Sequence, residues 1–191
     1  MKSFYLTFDG APNPPGTDNI LKLLAEYDVI ATFFIEGHRL EHEADCALRV
    51  QSAGHDIGNH SYTHPEFDSI SVEAACEEIK RADDILQEKL GIRPRICRPP
   101  AGKLTPEVEK AIVDLGYTIV LWSYSNRDWE TPDVDVLVDR VMSGIRDQAI
   151  VVFHDHVPWV PDVLKIIIPA IHSAGYEYKK ISDFDATGVI R

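Results

Sequence analysis

Short apolar runs alternate with amphipathic stretches along the whole chain. Phe4 to Phe8 reads as a strand, and Asp18 is placed to cap a helix through Ile20, Leu21, Leu23 and Leu24. Ala31 to Ile35 is a second apolar run, followed by a helix near Glu43 to Ala53 that ends at Gly54. His55 to Gly58 reads as a short strand leading into Asn59-His60-Ser61-Tyr62-Thr63-His64-Pro65. Ser71 starts a long helix through Leu90, closed by Gly91. Arg95 to Cys97, Tyr117 to Trp122, Ala149 to Phe153 and Tyr176 to Ile181 follow as strands. Between them lie helical patterns over Thr105 to Leu115, Val134 to Ile145 and Val163 to Ser173. Such alternation predicts an α/β fold of parallel strands with helical crossovers. Counting gives about six or seven units, which suits an open sheet or a barrel short of eight units.

The 191 residues suit one domain, residues 1–191, with no linker, repeat or low-complexity tract. Nineteen basic against 31 acidic residues leave a net charge of −12, which argues against nucleic acid and anionic membrane surfaces as partners. No Gly-x-Gly-x-x-Gly follows the first strand and no Gly-Lys-Ser/Thr loop occurs, which excludes the common nucleotide-binding signatures. The three cysteines, Cys46, Cys76 and Cys97, have no metal-type spacing and read as free thiols. With no signal-peptide core at Met1 to Leu6 and no membrane-length apolar stretch, a cytoplasmic location is the expectation. A chain whose leader had been removed would read the same way.

In parallel α/β folds the chemistry collects where strands end. Asp9 follows the first strand, His60 and His64 the third, Arg98 the fourth, Asp128 and Trp129 the fifth, His154 and Asp155 the sixth. Two imidazoles four residues apart on one side of a helical turn reach a single divalent metal. His38 and His42 share that spacing, but they sit in the charged run Glu36 to Glu43, where a solvated helix face is the expectation. Taken singly, each group has an ordinary structural role open to it: Asp9 a turn or cap, Arg98 a surface ion pair, Trp129 plain core. Their convergence on one mouth points to a hydrolytic site.

The order of these groups resembles the polysaccharide deacetylases, the carbohydrate esterase family of chitin, chitooligosaccharide and peptidoglycan deacetylases. Motifs from Thr7 to Asp155 carry the resemblance, which implies a distorted, incomplete (β/α) barrel. Thr7-Phe8-Asp9-Gly10-Ala11-Pro12 stands where the family has Thr-Phe-Asp-Asp-Gly-Pro, so the resemblance makes Asp9 the catalytic base. It makes His60 and His64 ligands of a divalent metal, Zn2+ foremost. Arg98-Pro99-Pro100-Ala101-Gly102 stands for Arg-x-Pro-Tyr-Gly. There Arg98 would orient the base, Ala101 would offer its backbone N–H to the oxyanion, and Pro100 would contact substrate. Asp128 would support His154, the general acid, and Trp129 would wall the site. The implied substrate is an acetylated sugar or oligosaccharide.

One departure stands out. Gly10 occupies the place of the family's metal-binding aspartate, whereas catalytic zinc normally has three protein ligands. Asp9 as third ligand, a weak two-histidine site, and a carbohydrate-binding relative without metal are the readings left open. Hydrolysis of a small non-sugar amide is another, because Ala101 and Ser125 also depart from the family pattern.

Overall fold

The computed structural model describes residues 2–184 and 188–190. Its centre is β1 (Lys2–Ala11), buried from Phe4 onward. Around it run α1 (Gly16–Glu26), β2 (Thr32–Ile35), α2 (Gly37–His42), α3 (Ala44–Ser52), β3 (Asp56–Asn59), α4 (Val72–Leu90), β4 (Ile96–Cys97), α5 (Pro106–Asp114), β5 (Thr118–Val120), β6 (Tyr124–Ser125), α6 (Val134–Ser143), β7 (Ala149–His154), α7 (Val160–Ser173), β8 (Tyr176–Tyr178) and β9 (Val189–Ile190). Every strand pair is parallel, in the order β6-β7-β1-β2-β3-β4-β5-β9, and β8 pairs with the start of β1. The sheet curls into a half-barrel with the helices outside, as the alternation predicted. Among the described residues no helix is long and apolar enough to cross a membrane.

The period of two along each strand sorts the core. Phe4, Leu6 and Phe8 of β1 join Phe33, Ala149, Val151 and Phe153 beneath the outer helices. Tyr5, Phe34, Ile96, Val120 and Ile150 face inward with Ile181 and Ile190. Thr7 and Asp9 therefore continue the inward row of Tyr5. A third cluster, around Phe67, Ile79, Cys97, Val108, Ile112 and Ile119, seats α4 and α5.

Helix boundaries follow capping chemistry. Ser71 Oγ accepts the Ala74 N–H at 3.2 Å, Thr105 Oγ1 accepts that of Val108 at 3.3 Å, and Asp133 Oδ1 accepts that of Val136 at 3.1 Å. Gly91 closes α4 in the left-handed region (φ 70°). Asp18 is not a cap, because α1 already begins at Gly16 and leaves Asp18 in its first turn, held by Arg49 at 2.7 Å. Two elements escaped the pattern: β6 and β9, each two residues long and without an apolar run to mark it. The last predicted strand stops at Tyr178, and Ile181–Asp183 forms a short 3-10 turn instead.

Candidate functional site

The inward rows of β1, β2, β3, β4 and β7 lead to polar residues. Beyond Tyr5 and Thr7 comes Asp9; beyond Phe34, Glu36; beyond Gly58, His60; beyond Ile96, Arg98; beyond Ile150 and Val152, His154. Neighbouring strands keep these ends level, since Asp9 pairs in register with His154 on β7 and with Phe34 on β2. A cavity of about 440 Å³ opens there, lined by Gly10, Glu36, His60, His64, Trp129 and His154, with His38, Arg39, Thr63 and His156 around them.

Arg98 is fully buried beneath the cavity. Its Nη1 donates to Asp9 Oδ1 at 2.6 Å and to Thr7 Oγ1 at 2.8 Å, while Nε and Nη2 donate to the carbonyls of Val120 (3.0 Å) and Leu121 (3.1 Å). The guanidinium lies over the Phe34 ring, 4.1 Å from its centroid. Burial alone would raise the Asp9 carboxyl pKa. The Arg98 charge, with His60 and His154, outweighs burial and holds it below the ordinary value of 3.8. Asp9 is thus favoured as the ionised carboxylate.

His154 is tuned the opposite way. Asp128, wholly buried, accepts the His154 ring Nδ1–H at 2.9 Å through Oδ1 and the His154 backbone N–H at 2.7 Å through Oδ2. Burial pushes the imidazole pKa down, but the bond to Asp128 and its charge win, so the group sits above its ordinary 6.5. The Asp128 loop is pinned by Asn126 Oδ1 accepting the Asp128 N–H (2.9 Å) and by Trp159 Nε1 donating to the Asp128 carbonyl (2.7 Å). Trp159 carried no signal in the sequence beyond its hydrophobicity. Trp129 is half exposed and stands perpendicular to the His154 ring, centroids 5.1 Å apart.

His60 and His64 do come together, with ring centroids 4.9 Å apart, but not on a helical turn. Residues 60–64 form an irregular loop with Ser61 (φ 65°) and His64 (φ 63°) in the left-handed region. Asn59 Oδ1 accepts the Ser61 N–H at 2.9 Å, the self-bonding typical of an asparagine turn. Glu78 of α4 then clamps the loop by accepting the N–H groups of Tyr62 (3.0 Å) and Thr63 (2.6 Å) and the Thr63 hydroxyl (2.8 Å). His60 Nδ1 donates to the Arg98 carbonyl at 2.8 Å, which fixes the tautomer and leaves Nε2 as the lone-pair nitrogen, 3.9 Å from Asp9 Oδ2. Burial lowers the His60 pKa, so the ring is neutral, the form a metal requires.

Ala101 lies on the turn after Arg98 with φ 54°, and that turn closes through Gly102 N–H to Pro99 O (2.9 Å) and Lys103 N–H to Pro100 O (3.1 Å). Pro100 is buried and Ala101 exposed; the side chains that line the cavity come from other elements. His38 and His42 lie on the short helix α2, and His38 is partly exposed. It lines the cavity, 3.3 Å from Glu36 Oε2, with its Nδ1 3.1 Å from the Tyr62 carbonyl, whereas His42 is exposed. Asp155 is buried and accepts from Asn13 Nδ2 (2.5 Å) and from the Thr17 hydroxyl, tying β7 to the start of α1.

As the side chains stand, no group of three His, Cys, Asp or Glu residues among the described residues is gathered to hold an ion. The chemistry of the donor set fits one nevertheless. Two imidazoles, one with its lone pair fixed, share a cavity with the Glu36 carboxylate, at which a Gly10 side chain, had it a Cβ, would point.

Residues 1–120 match the family model described as polysaccharide deacetylase. The chain is 32% identical to the peptidoglycan-N-acetylmuramic acid deacetylase PdaC of Bacillus subtilis strain 168, covering 97% of this chain and 39% of PdaC. It is 34% identical to a chitooligosaccharide deacetylase of Rhizobium leguminosarum bv. trifolii, covering 94% of this chain and 90% of that enzyme. A solved CE4 family pseudoenzyme from Bacillus anthracis superposes with a TM-score of 0.90 at 30% identity, over 95% of this chain and 64% of that one. The chain therefore spans about two fifths of one curated relative and nine tenths of another.

Proposed function

Because the chain belongs to the polysaccharide deacetylase family, we propose that it is a metal-dependent hydrolase that removes acetyl groups from an N-acetylated carbohydrate. One observation carries this reading: Asp9 and His154, level on adjacent strands, are tuned in opposite directions beside one cavity. Amide hydrolysis needs such a pair, a base that stays ionised and an acid that stays protonated.

His60 and His64 are the residues that would hold the metal, which when bound polarises the acetyl carbonyl and acidifies water. Asp9 takes the proton from the attacking water, and Arg98 keeps its carboxylate charged and aimed through the 2.6 Å bond. The Ala101 N–H is offered to the developing oxyanion. His154, its Nδ1–H committed to Asp128, delivers a proton from Nε2 to the departing amine. Trp129, perpendicular to that ring and half exposed, gives the sugar an apolar wall. Pro100, buried and outside the cavity lining, is not positioned as the substrate contact that the resemblance implied.

The test is acetate release from chitooligosaccharides and peptidoglycan fragments after addition of Zn2+ or Co2+. Activity that disappears in Asp9→Asn and His154→Ala is the expected result; no acetate from either substrate class refutes the reading. A carbohydrate-binding protein without turnover is the second reading, favoured by Gly10 in place of a carboxylate. It requires oligosaccharide binding that Asp9→Asn and His154→Ala leave unchanged.

A further inference from the structure

Gly10 sits at a bulge in β1, where the register with β2 shifts between Asp9 and Ala11, and its φ of +81° is one that glycine adopts freely. A Cβ built on Gly10 would meet a single neighbour within 4 Å, Glu36 Oε1, at 3.1 Å. A carboxylate from the residue just after β2 thus reaches the space that a side chain on residue 10 would enter. Glu36 is buried, 5% exposed, and lines the same cavity as His60 and His64. Arg39 Nε at 2.9 Å and His38 Nδ1 at 3.3 Å both contact its Oε2, and Oε1 is the oxygen turned toward Gly10. Arg39 is held in turn by Asn13 Oδ1.

From this juxtaposition we infer that Glu36 is the third protein ligand of the metal at His60 and His64, replacing from the junction of β2 and α2 the carboxylate that β1 lacks. The assignment rests on reading the cavity as a metal-assisted deacetylase site. A longer side chain from just after the neighbouring strand makes up the distance, and glycine at position 10 keeps its path clear. Arg39 plays the opposing part. It neutralises the buried carboxylate through Oε2, and its positive charge opposes a second cation arriving at Oε1.

Co2+ titration followed by visible absorption, with Zn2+ competition for affinity, reads ligation independently of turnover. The variants are Glu36→Gln, Arg39→Met, and Gly10→Asp combined with Glu36→Ala. Loss of a direct ligand should weaken affinity by at least about 100-fold, beyond the ~10–100-fold that losing an outer partner costs. Arg39→Met should tighten binding, because the competing cation is gone. The double variant should bind better than Glu36→Gln, because it returns a carboxylate to residue 10. Far-ultraviolet circular dichroism accompanies each titration; should Glu36→Gln not fold, the direction of the Arg39→Met change decides. A Glu36→Gln titration that overlays the wild type, an Arg39→Met protein that binds more weakly, or a wild type that takes up no Co2+ overturns the assignment. Acetate release is scored on the same samples. A deacetylase whose Co2+ binding ignores Glu36 sinks this assignment alone, and a protein inert toward acetylated sugars sinks the deacetylase reading while the titration still judges the ligand.

Discussion

Replacing Arg98 by Met isolates the electrostatics beneath the site. Arg98 is wholly enclosed, and its guanidinium serves Asp9, Thr7 and two backbone carbonyls. Methionine fills much of the stem volume but returns none of those bonds. Breaking a buried ion pair by removing one partner costs about 3–5 kcal/mol, because the other charge is left without compensation. That is a large share of the ~5–15 kcal/mol that holds a domain folded. Urea unfolding of the wild type, Arg98→Met, Asp9→Asn and the double variant forms a thermodynamic cycle. If the loss comes from stranding Asp9, the double variant loses less than the sum of the single losses, by about 0.5–3 kcal/mol for groups in contact. The sign of the pH dependence is a second check. In the wild type the Asp9 pKa lies below 3.8, so its contribution is present above that value and lost as pH falls through the folded pKa. In Arg98→Met burial dominates and raises the pKa, so stability from this group should instead fall as pH rises above 3.8. Additive single losses with no change in pH dependence would refute the claim that Arg98 acts through Asp9.

Asp128→Asn should remove the influence that raises His154, moving the alkaline limb of kcat/KM to lower pH and cutting kcat by about 10²-fold or more; initial rates of acetate release across pH check this, and an unmoved limb counts against it. His55 is pushed by burial to about 4, and its Nδ1 accepts the Ala31 N–H at 3.3 Å, so the folded state resists its protonation. Stability should therefore fall by about 3 kcal/mol as pH drops from 6.5 to 4, and His55→Gln should flatten that loss in urea melts. Trp129→Ala should raise KM for an oligosaccharide with little change in kcat, as befits a wall rather than a reacting group; a drop confined to kcat would argue otherwise.

The fold was legible because the strands that matter are apolar and the helices carry strong caps. Ser71, Gly91 and Thr105 mark boundaries by local chemistry, and local chemistry is what a sequence displays. Two-residue strands such as β6 and β9 exist only because neighbours hold them, so no alternation announces them. The site was legible for a related reason: Asp9, His60, Arg98 and His154 each stand two residues beyond an inward core position on their own strand. The same count from Phe34 lands on Glu36. Nothing local marks it in the sequence, because no metal-type spacing accompanies it and it opens the charged run Glu36 to Glu43.

The histidine pair teaches the converse. Its spacing of four suggested a helical turn, yet the rings meet through an asparagine turn at Asn59 and a clamp from Glu78. Identical spacing at His38 and His42 brings only His38 to the cavity. Spacing along the chain reports geometry only inside a regular element, and loops are shaped by whichever side chains reach them. Arg98 reaches Asp9 from 89 residues away, and Asp128 reaches His154 from 26. The opposite tuning of Asp9 and His154 is therefore set by partners that only the folded sheet brings near. Substitutions at Arg98 or Asp128 should change the protonation of this site while leaving Asp9 and His154 themselves in place.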